Sequence, residues 1–321
     1  MSKKKLGIIG TSNIAFNRFL PALMESSSFE YAGVATRTHE KAIRFAQVYQ
    51  GEIFDDYNAL IHSPKVDALY LPLPPALHKE WAMKALENGK HVLLEKPFTT
   101  SLEDTRQIIE LARAKDLAIH ENYMFVFHKQ VSKIKQLLTE NAIGELRQMR
   151  TAFGFPFRGG DDFRYNKELG GGALLDCGGY PVKLACILLG ENLKVSSSRL
   201  NVPKGFDVDI FGSATLENEH GLTAQIAFGM DNFYRCEVEI WGSCGFLSTQ
   251  RIFTAPDDFK PQVILQSNGD SRIITVESDN QFLNSIEYFA SCIVDEKIRN
   301  ESYEQILKQA ELIEEIKECS I

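Results

Sequence analysis

The strongest constraint on the fold is an alternation of short apolar runs with segments of helical period over the first 121 residues. The strand-like runs lie at 6–9, 31–35, 68–71, 91–94 and 117–120. Consecutive strands that are separated by helices pair in parallel, and the helices cover both faces of the resulting sheet. This part of the sequence therefore predicts a doubly wound parallel sheet, an α/β fold.

The pattern changes after a helical segment at 129–141, because the strand-like runs then follow one another directly. They lie at 145–155, 206–217, 222–228, 233–241 and 245–249, and helices are expected at 172–189, 280–294 and 302–318. Strands without intervening helices form antiparallel or mixed sheets. We therefore predict a first domain over 1–122 and a second, α+β domain with a large open sheet over 123–321.

Charge and composition argue against several classes of function. The net charge is -8 and the pI is near 5.5, so the chain lacks the basic surface that binds nucleic acid. The longest uncharged apolar run, 68–77, is interrupted by prolines and is too short to span a membrane. The six cysteines have neither paired nor metal-ligand spacing. We expect reduced thiols, no membrane segment, no metal site and a cytoplasmic location.

A glycine turn after the first predicted strand is the first candidate binding site. The turn matches the pattern G-x-G-x-x-A, and its residues are Gly10, Thr11, Ser12, Asn13, Ile14 and Ala15. A dinucleotide pyrophosphate binds at such a turn, on the backbone N–H groups of the helix that follows. Ser12 replaces the second glycine, and its hydroxyl could itself donate to a phosphate. A turn with a purely structural role is the alternative interpretation.

The end of the second predicted strand indicates which dinucleotide would bind. NAD-binding proteins place an acidic residue there to bind the ribose hydroxyls. This chain has Thr36 and Arg37 instead, with Lys41 one turn into the next helix. A hydroxyl and positive charge suit a 2'-phosphate, so we predict NADP(H) in preference to NAD(H). The alternative is a solvated arginine at a strand end.

Two further groups of residues are candidates for chemistry. A buried strand ends abruptly in Glu95, Lys96 and Pro97, at the sheet edge where doubly wound folds bind ligands. A glycine triplet at 170–172 precedes a helix that carries Asp176 and Tyr180. The spacing i, i+4 places both on one helical face. The alternatives are a surface salt bridge for Lys96 and a half-buried tyrosine beside a capping acid.

In this order the motifs resemble those of the glucose-fructose oxidoreductase and inositol dehydrogenase family (Gfo/Idh/MocA). The resemblance covers nearly the whole chain, and it extends to 71–74 with His78, to 89–97, to 121–130 and to 170–180. The chain departs from the family pattern at Ser12, Pro75 and Val126. Tyrosine at position 180 resembles the branch that contains nucleotide-sugar 3-ketoreductases and dihydrodiol dehydrogenase.

The resemblance implies an N-terminal Rossmann domain, a C-terminal domain whose open sheet joins subunits, and a homodimer or homotetramer. It implies that Glu95 and Lys96 border the nicotinamide, with a cis bond before Pro97, and that Lys96 and Tyr180 handle the substrate proton. The remaining cofactor contacts that it implies are Leu71, Pro72, Leu73, Pro74 and His78. The substrate contacts that we expect are Tyr123, Phe125, Arg158, Arg164 and Tyr165.

We therefore expect an NAD(P)-dependent oxidoreductase that transfers a hydride between the nicotinamide and a sugar hydroxyl or ketone. The resemblance to the nucleotide-sugar 3-ketoreductases implies that this sugar could be nucleotide-linked. Tyr180 is the expected proton donor, and the opposite assignment, with Lys96 as the acid, is the alternative. Asp176 would orient the sugar hydroxyl or Lys96. Arg158, Arg164 and Tyr165 could bind a substrate diphosphate, and ordinary solvation of their loop is the alternative. The competing functions are an aldose or dihydrodiol dehydrogenase and a non-catalytic sensor of NAD(P) and sugar.

Overall fold

The structure is a computed structural model that describes residues 3–190, 192–267 and 269–320. Its strands are β1 (Lys4–Ile9), β2 (Phe29–Ala35), β3 (Glu52–Phe54), β4 (Ala68–Leu71), β5 (His91–Leu94), β6 (Ile119–Glu121), β7 (Leu146–Gly154), β8 (Lys194–Asn201), β9 (Phe211–Glu217), β10 (Thr223–Gly229), β11 (Arg235–Gly242), β12 (Gly245–Gln250), β13 (Gln262–Ser267) and β14 (Asp270–Thr275). Its α-helices are α1 (Leu20–Glu25), α2 (His39–Tyr49), α3 (Tyr57–His62), α4 (His78–Glu87), α5 (Leu102–Ala114), α6 (Lys129–Thr139), α7 (Gly179–Leu189), α8 (Gln281–Val294) and α9 (Glu296–Glu318).

The first sheet is parallel throughout the described strands and has the order β3-β2-β1-β4-β5-β6. The direction of strand progression reverses at β1, so β1 and β4 lie at the topological switch point, outside which doubly wound sheets bind their ligands. Strand β4 is buried along its whole length, as expected for a strand covered by helices on both faces. The predicted α/β fold is confirmed.

The second sheet has the order β14-β13-β12-β11-β7-β10-β9-β8 among the described residues. Its strands pair antiparallel, apart from β7 and β10, which pair in parallel. Side chains in β11 alternate between buried and exposed positions, so that one face packs in the core and the other is open. The predicted large mixed sheet is confirmed.

Contacts divide the chain into one unit of residues 1–123 with 282–310 and another of 124–281 with 311–321. The division differs from the predicted domains, because most of α8 and part of α9 belong to the first unit. In α8, Phe289 stacks on Phe29 at 5.6 Å, and the Glu287 carboxylate accepts hydrogen bonds from the serines at 26–28. These partners lie far apart in sequence, so local patterns could not have assigned α8 to this unit.

Two helices begin with a π-helical turn, at Ala15–Phe19 before α1 and at Leu174–Gly178 before α7. π-Helical turns are rare and occur often at functional sites. Among the described residues, the run Lys167–Leu189, which includes the second turn, has the length and apolarity of a membrane span, but 72% of its most apolar window is buried. A buried core helix passes the same test of length and apolarity.

Candidate active site

The glycine turn after β1 depends on a backbone conformation that favours glycine. Gly10 has φ +99°, and a Cβ atom there would lie 2.9 Å from Leu73 Cδ2. The Gly10 N–H donates to the Ala35 carbonyl at 2.8 Å, which joins this turn to the end of β2. Gly10 and Leu73 were both expected at the cofactor site, and the structure brings them together.

Ser12 caps the helix that begins after the turn. Its Oγ accepts a hydrogen bond from the Ala15 N–H at 3.1 Å, which satisfies one of the N–H groups that a helix start leaves unpaired. A hydroxyl that accepts one hydrogen bond still has its own proton to donate. This capping hydrogen bond accounts for the serine at position 12, where the pattern has its second glycine. The remaining N–H groups of the first turn and the helix dipole suit a phosphate.

The end of β2 carries positive charge beside this turn. Thr36 Oγ1 lies 3.1 Å from Thr11 Oγ1, which joins the two predicted cofactor motifs through side chains. Arg37 and Lys41 are exposed. Within the described part of the chain, Arg37 forms no ion pair. Free positive charge at this position, where no carboxylate stands, fits a 2'-phosphate.

Lys96 follows β5 on a segment that several side chains hold in place. The preceding Glu95 carboxylate accepts hydrogen bonds from the Tyr70 hydroxyl at 2.6 Å, from Asn122 Nδ2 at 2.7 Å and from the Lys96 N–H at 3.3 Å. Burial raises the pKa of Glu95, and the hydrogen bonds from Tyr70 and Asn122 oppose that rise. Glu95 thus fixes the backbone beneath Lys96.

His78 holds two loops of the site together instead of lying at its surface. Its Nδ1 lies 2.9 Å from the Pro97 carbonyl oxygen, and its Nε2 lies 2.8 Å from the Leu73 carbonyl oxygen. The ring is fully buried, and burial lowers the pKa of His78. The expectation that His78 contacts the cofactor therefore needs correction, because its ring nitrogens face main-chain carbonyls. The bond between Lys96 and Pro97 is cis, as expected.

In the second unit, Asp176 lies in an ion-paired cluster. Arg164 Nε donates to Asp176 Oδ2 at 2.8 Å, and Arg164 Nη1 donates to Asp162 Oδ1 at 3.0 Å. The two carboxylates raise the pKa of Arg164 despite the burial that opposes its charge. We expected Arg164 to bind a substrate diphosphate. Its guanidinium is instead engaged by two acids, so its structural role is to orient Asp176.

Tyr180 lies among aromatic rings in the same unit. The centroid of its ring is 5.0 Å from that of Phe153, 5.6 Å from that of Phe253 and 5.7 Å from that of Phe125. Phe125 was expected near the substrate and lies next to Tyr180, whereas Tyr123 belongs to the first unit and is buried. Ring contacts on several sides restrict the side-chain rotation of Tyr180 and so direct its hydroxyl.

The helix that carries Asp176 and Tyr180 starts at a glycine that packs against another chain segment. Gly172 has φ +123°, and a Cβ atom there would lie 2.5 Å from Asp209 Oδ1. The Asp209 carboxylate accepts from the Leu174 N–H at 2.7 Å and so caps the helix from a distant loop. Burial raises the pKa of Asp209. Gly172 therefore allows a close approach of this helix start to another segment of the protein.

Tyr165 has a structural role that differs from our expectation of substrate contact. Its hydroxyl donates to the Met230 carbonyl at 2.7 Å and accepts from the Arg158 N–H at 3.1 Å. Both hydrogen bonds hold the loop at 155–165 against the sheet. The Arg158 guanidinium lies over the Phe155 ring, 4.4 Å from its centroid. Arg158 thus remains the candidate for an anionic substrate group on this loop.

Several residues of the site had no assigned role in the sequence. They are Tyr70, Asn122, Phe153, Asp162, Asp209 and Phe253. The position of Asn122, directly after β6 at the ligand-binding edge of the sheet, was a usable signal. The two phenylalanines carried none, since aromatic residues in strands usually belong to the core. Among the described residues, no group of three or more His, Cys, Asp or Glu side chains could hold a metal ion.

Comparison with known proteins agrees with these features. Residues 4–123 match the model of the oxidoreductase family with an NAD-binding Rossmann fold, and residues 131–248 match the Gfo/Idh/MocA C-terminal domain. The dTDP-3,4-didehydro-2,6-dideoxy-α-D-glucose 3-reductase of Actinomadura kijaniata is 37% identical over 98% of this chain and 94% of its own length. The protein of that name from Saccharopolyspora spinosa is 36% identical over 97% of this chain and 96% of its own length.

A solved structure shows the same likeness in three dimensions. The 3-ketoreductase KijD10 of Actinomadura kijaniata, in complex with NADP and TDP-benzene, has a TM-score of 0.96 and 36% identity, and the match covers 99% of this chain and 98% of that one. The predictions of fold, family, enzyme class and nicotinamide cofactor are thereby confirmed. This chain belongs to the Gfo/Idh/MocA family of NAD(P)-dependent oxidoreductases.

Proposed function

We propose that this protein reduces the keto group of a nucleotide-linked deoxysugar and uses NADPH as the reductant. The observation that carries the proposal is the likeness, over nearly the whole chain, to 3-reductases of a dTDP-linked keto sugar. The absence of an acid after β2, where Arg37 stands, supports NADP(H) over NAD(H). The candidate side chains Lys96, Asp176 and Tyr180 supply the polar groups that reduction of a ketone requires.

Residues at the edge of the first sheet would hold the cofactor. The first helical turn, with Ser12, would bind the pyrophosphate, and Arg37 with Lys41 would bind the 2'-phosphate. The reduced nicotinamide supplies a hydride to the carbonyl carbon of the substrate. Gly10 and Leu73 provide a close, partly apolar surface beside the turn. Lys96 follows Glu95, whose hydrogen bonds hold this segment in place, and would lie at the substrate end of this surface.

The proton for the developing alkoxide would come from Tyr180. A phenol donates a proton readily to an alkoxide, and a nearby ammonium stabilises the phenolate that remains. Solved variants of KijD10 replace a lysine by alanine or glutamate and a tyrosine by phenylalanine. These two residues are separated along KijD10 by the same number of positions as Lys96 and Tyr180 are here. If Lys96 is the acid instead, Tyr180→Phe should lower kcat less, because the proton donor is then still present.

Asp176 and Arg158 would orient the substrate. The Asp176 carboxylate, held by Arg164, can accept a hydrogen bond from a sugar hydroxyl and so fix the face of the carbonyl that the hydride meets. The Arg158 guanidinium can form charge-assisted hydrogen bonds to a diphosphate. This division of roles removes Arg164 and Tyr165 from direct substrate contact, in contrast to their expected roles.

We further propose a cytoplasmic homo-oligomer that forms through the open face of the second sheet. Its outward face carries exposed Trp241 on β11, Ile264 on β13 and Ile273 on β14, in the register that places them on one side. Large exposed apolar groups on one surface mark an interface. A depression of about 610 Å³ lies along β7 to β11 on this sheet. Light scattering of Trp241→Arg should then report a smaller assembly than that of the wild type.

The test of the function is NADPH consumption with a panel of substrates. Turnover with a dTDP-linked keto sugar, and slower turnover with the free sugar or with NADH, supports the proposal. Oxidation of an aldose or a dihydrodiol as the fastest reaction would instead identify the enzyme as a dehydrogenase of that class. Tight NADPH binding with no turnover on any member of the panel would indicate a sensor.

A further inference from the structure

A buried chain of hydrogen bonds links helix α8 to the segment that carries Lys96. His120 Nε2 lies 3.1 Å from Ser285 Oγ, and the Ser285 hydroxyl donates to Asn122 Oδ1 at 2.8 Å. Asn122 Nδ2 then donates to Glu95 Oε1 at 2.7 Å. We call these four residues the Ser285 chain. All of them belong to the first unit.

The partners in the Ser285 chain determine the orientation of the Asn122 amide. Its carbonyl oxygen faces a hydroxyl donor, and its NH₂ group faces a carboxylate that can only accept. Rotation of the amide by half a turn would lose both hydrogen bonds. Ser285 is fully buried and Asn122 is 1% exposed, so water cannot replace either partner, and an unmade hydrogen bond would be costly.

The Ser285 chain ends on the residue that precedes Lys96. Glu95 Oε2 accepts from the Lys96 N–H at 3.3 Å, and Glu95 Oε1 also accepts from the Tyr70 hydroxyl at 2.6 Å. A displacement of the Glu95 carboxylate therefore moves the main chain from which the Lys96 side chain extends. The hydroxyl of Ser285 is separated from Lys96 by two side chains, the Asn122 amide, which accepts and donates, and the Glu95 carboxylate, which accepts.

We propose that Ser285 is a positioning residue for Lys96 and acts through Asn122 and Glu95. The inference rests on the proposed role of Lys96 in turnover and adds a residue from α8, far from the cofactor motifs in sequence. Tertiary contact with α8 is thereby part of the site, because removal of one hydroxyl loosens the amide that holds Glu95.

The charged and titratable groups that face Glu95 influence its pKa. A change in that pKa would distinguish a positioning role of Ser285 from a role in packing alone. They are Tyr70 on β4, Lys96 on the same segment and, through Ser285, His120 on β6. The hydrogen bond from Asn122 opposes the rise in the pKa of Glu95 that burial causes. If Asn122 loses its fixed orientation, Glu95 takes up a proton at a higher pH. The acidic limb of the pH profile of kcat should then move upward.

The test compares Ser285→Ala with a matched control on the same helix. Ser291→Ala removes a hydroxyl whose hydrogen bond, to the Glu287 carbonyl, stays within α8. We expect Ser285→Ala to lower kcat about tenfold and to shift the acidic limb upward, since the Asn122 amide loses the hydroxyl that fixes its orientation. KM and NADPH affinity should stay close to those of Ser291→Ala, whereas the thermal unfolding temperature should be lower than that of Ser291→Ala, because Asn122 loses a buried hydrogen-bond donor. Ser285→Cys, with its weaker donor, should fall between Ser285→Ala and the wild type.

Two kinetic results would overturn the inference. One is a kcat for Ser285→Ala equal to that of Ser291→Ala, and the other is a loss that is uniform across pH and accompanied by lost NADPH binding. The rate at which an amine-reactive reagent labels Lys96, followed by mass spectrometry, needs no turnover. An altered rate in Ser285→Ala without any wild-type turnover would support the inference and contradict the proposed function, whereas an unaltered rate would contradict the inference.

Discussion

The two units hold their candidate site residues by different means. In the first unit, main-chain groups set the geometry around the glycine turn: Gly10 bonds to the end of β2, and the His78 ring faces the carbonyl oxygens of two loops. The segment of Lys96 is the exception in this unit, because side-chain hydrogen bonds to Glu95 hold it. In the second unit, side chains set it: Arg164 joins two carboxylates, and three rings surround Tyr180. The first arrangement tolerates changes in side chains better than the second.

This difference matches the chemistry that each unit provides. A pyrophosphate is recognised by backbone N–H groups, which every sequence supplies once the turn has the right conformation. A proton donor and an orienting carboxylate are individual side chains, and their positions depend on neighbours that hold the rotamer. Both arrangements include a π-helical turn at the start of a helix, at Ala15–Phe19 and at Leu174–Gly178. We expect substrate specificity to change more readily through the second unit.

The largest expected effect on kcat comes from removing the candidate proton-transfer side chain of each unit. Lys96→Ala and Tyr180→Phe should each lower kcat by about 10²- to 10⁴-fold, the range for loss of a proton-transfer group. NADPH affinity, measured by fluorescence, should change little. Lys79→Ala, which removes a surface ion pair with Asp104 on α5, is the control. If both residues serve one reaction step, the double variant should lose less than the product of the single losses.

The next effect tests whether side chains dominate the second unit. Arg164→Ala removes the ion pairs that Arg164 forms with the carboxylates of Asp162 and Asp176, and we expect a loss of about 3 kcal/mol in the free energy of unfolding, measured with urea. Thr11→Val in the first unit removes only the contact between the Thr11 and Thr36 hydroxyls, and should cost about 1 kcal/mol. Equal losses for the two variants would contradict the proposed contrast.

A smaller effect concerns the contact of the 2'-phosphate with the charged side chains of the first unit. Arg37→Ser should weaken NADPH binding about tenfold, because charge-assisted hydrogen bonds to the 2'-phosphate contribute about 1.5 kcal/mol or more. NADH lacks this phosphate, so its affinity should not change. Arg272→Ser, an exposed arginine on β14, is the matched control. An equal loss for both cofactors would place Arg37 elsewhere in the binding site.

The smallest effect is on acid stability in the first unit. Burial, with the charges of Lys4 and Arg299, lowers the pKa of His91 to about 4. The unfolded chain binds a proton below about pH 6.5 whereas the folded one does not, so stability falls as the pH drops from 6.5 towards 4. His91→Gln should remove about 1 kcal/mol of this loss at pH 5.5 in urea unfolding.

The contrast between the units also explains what the sequence could predict. Strands β4 and β5 lie at the predicted bounds, because these features depend on local patterns. Strand β8 was missed, since its serine-rich segment has the composition of a loop, and β3 was missed because it has only three residues. The ring contacts of Tyr180 join residues from four separate segments, and no local pattern connects them.

The residues of the site follow the same division. Gly10, Arg37 and Lys96 were found from strand ends and glycine turns, which are visible along the chain. The pairing of Arg164 with Asp176 was not, because it depends on how the loop at 155–165 folds back towards α7. Ser285 could not be found at all, as it lies on a helix that the sequence assigned to the other domain.

The most direct test of the central claim follows the hydride itself. NADPH that carries deuterium at the transferred position of nicotinamide C4 is incubated with the enzyme and a dTDP-linked keto sugar, and the product is analysed by mass spectrometry. The account predicts that deuterium appears on the former carbonyl carbon of the sugar, and that Lys96→Ala slows its appearance. NADPH binding without deuterium in the sugar would contradict it.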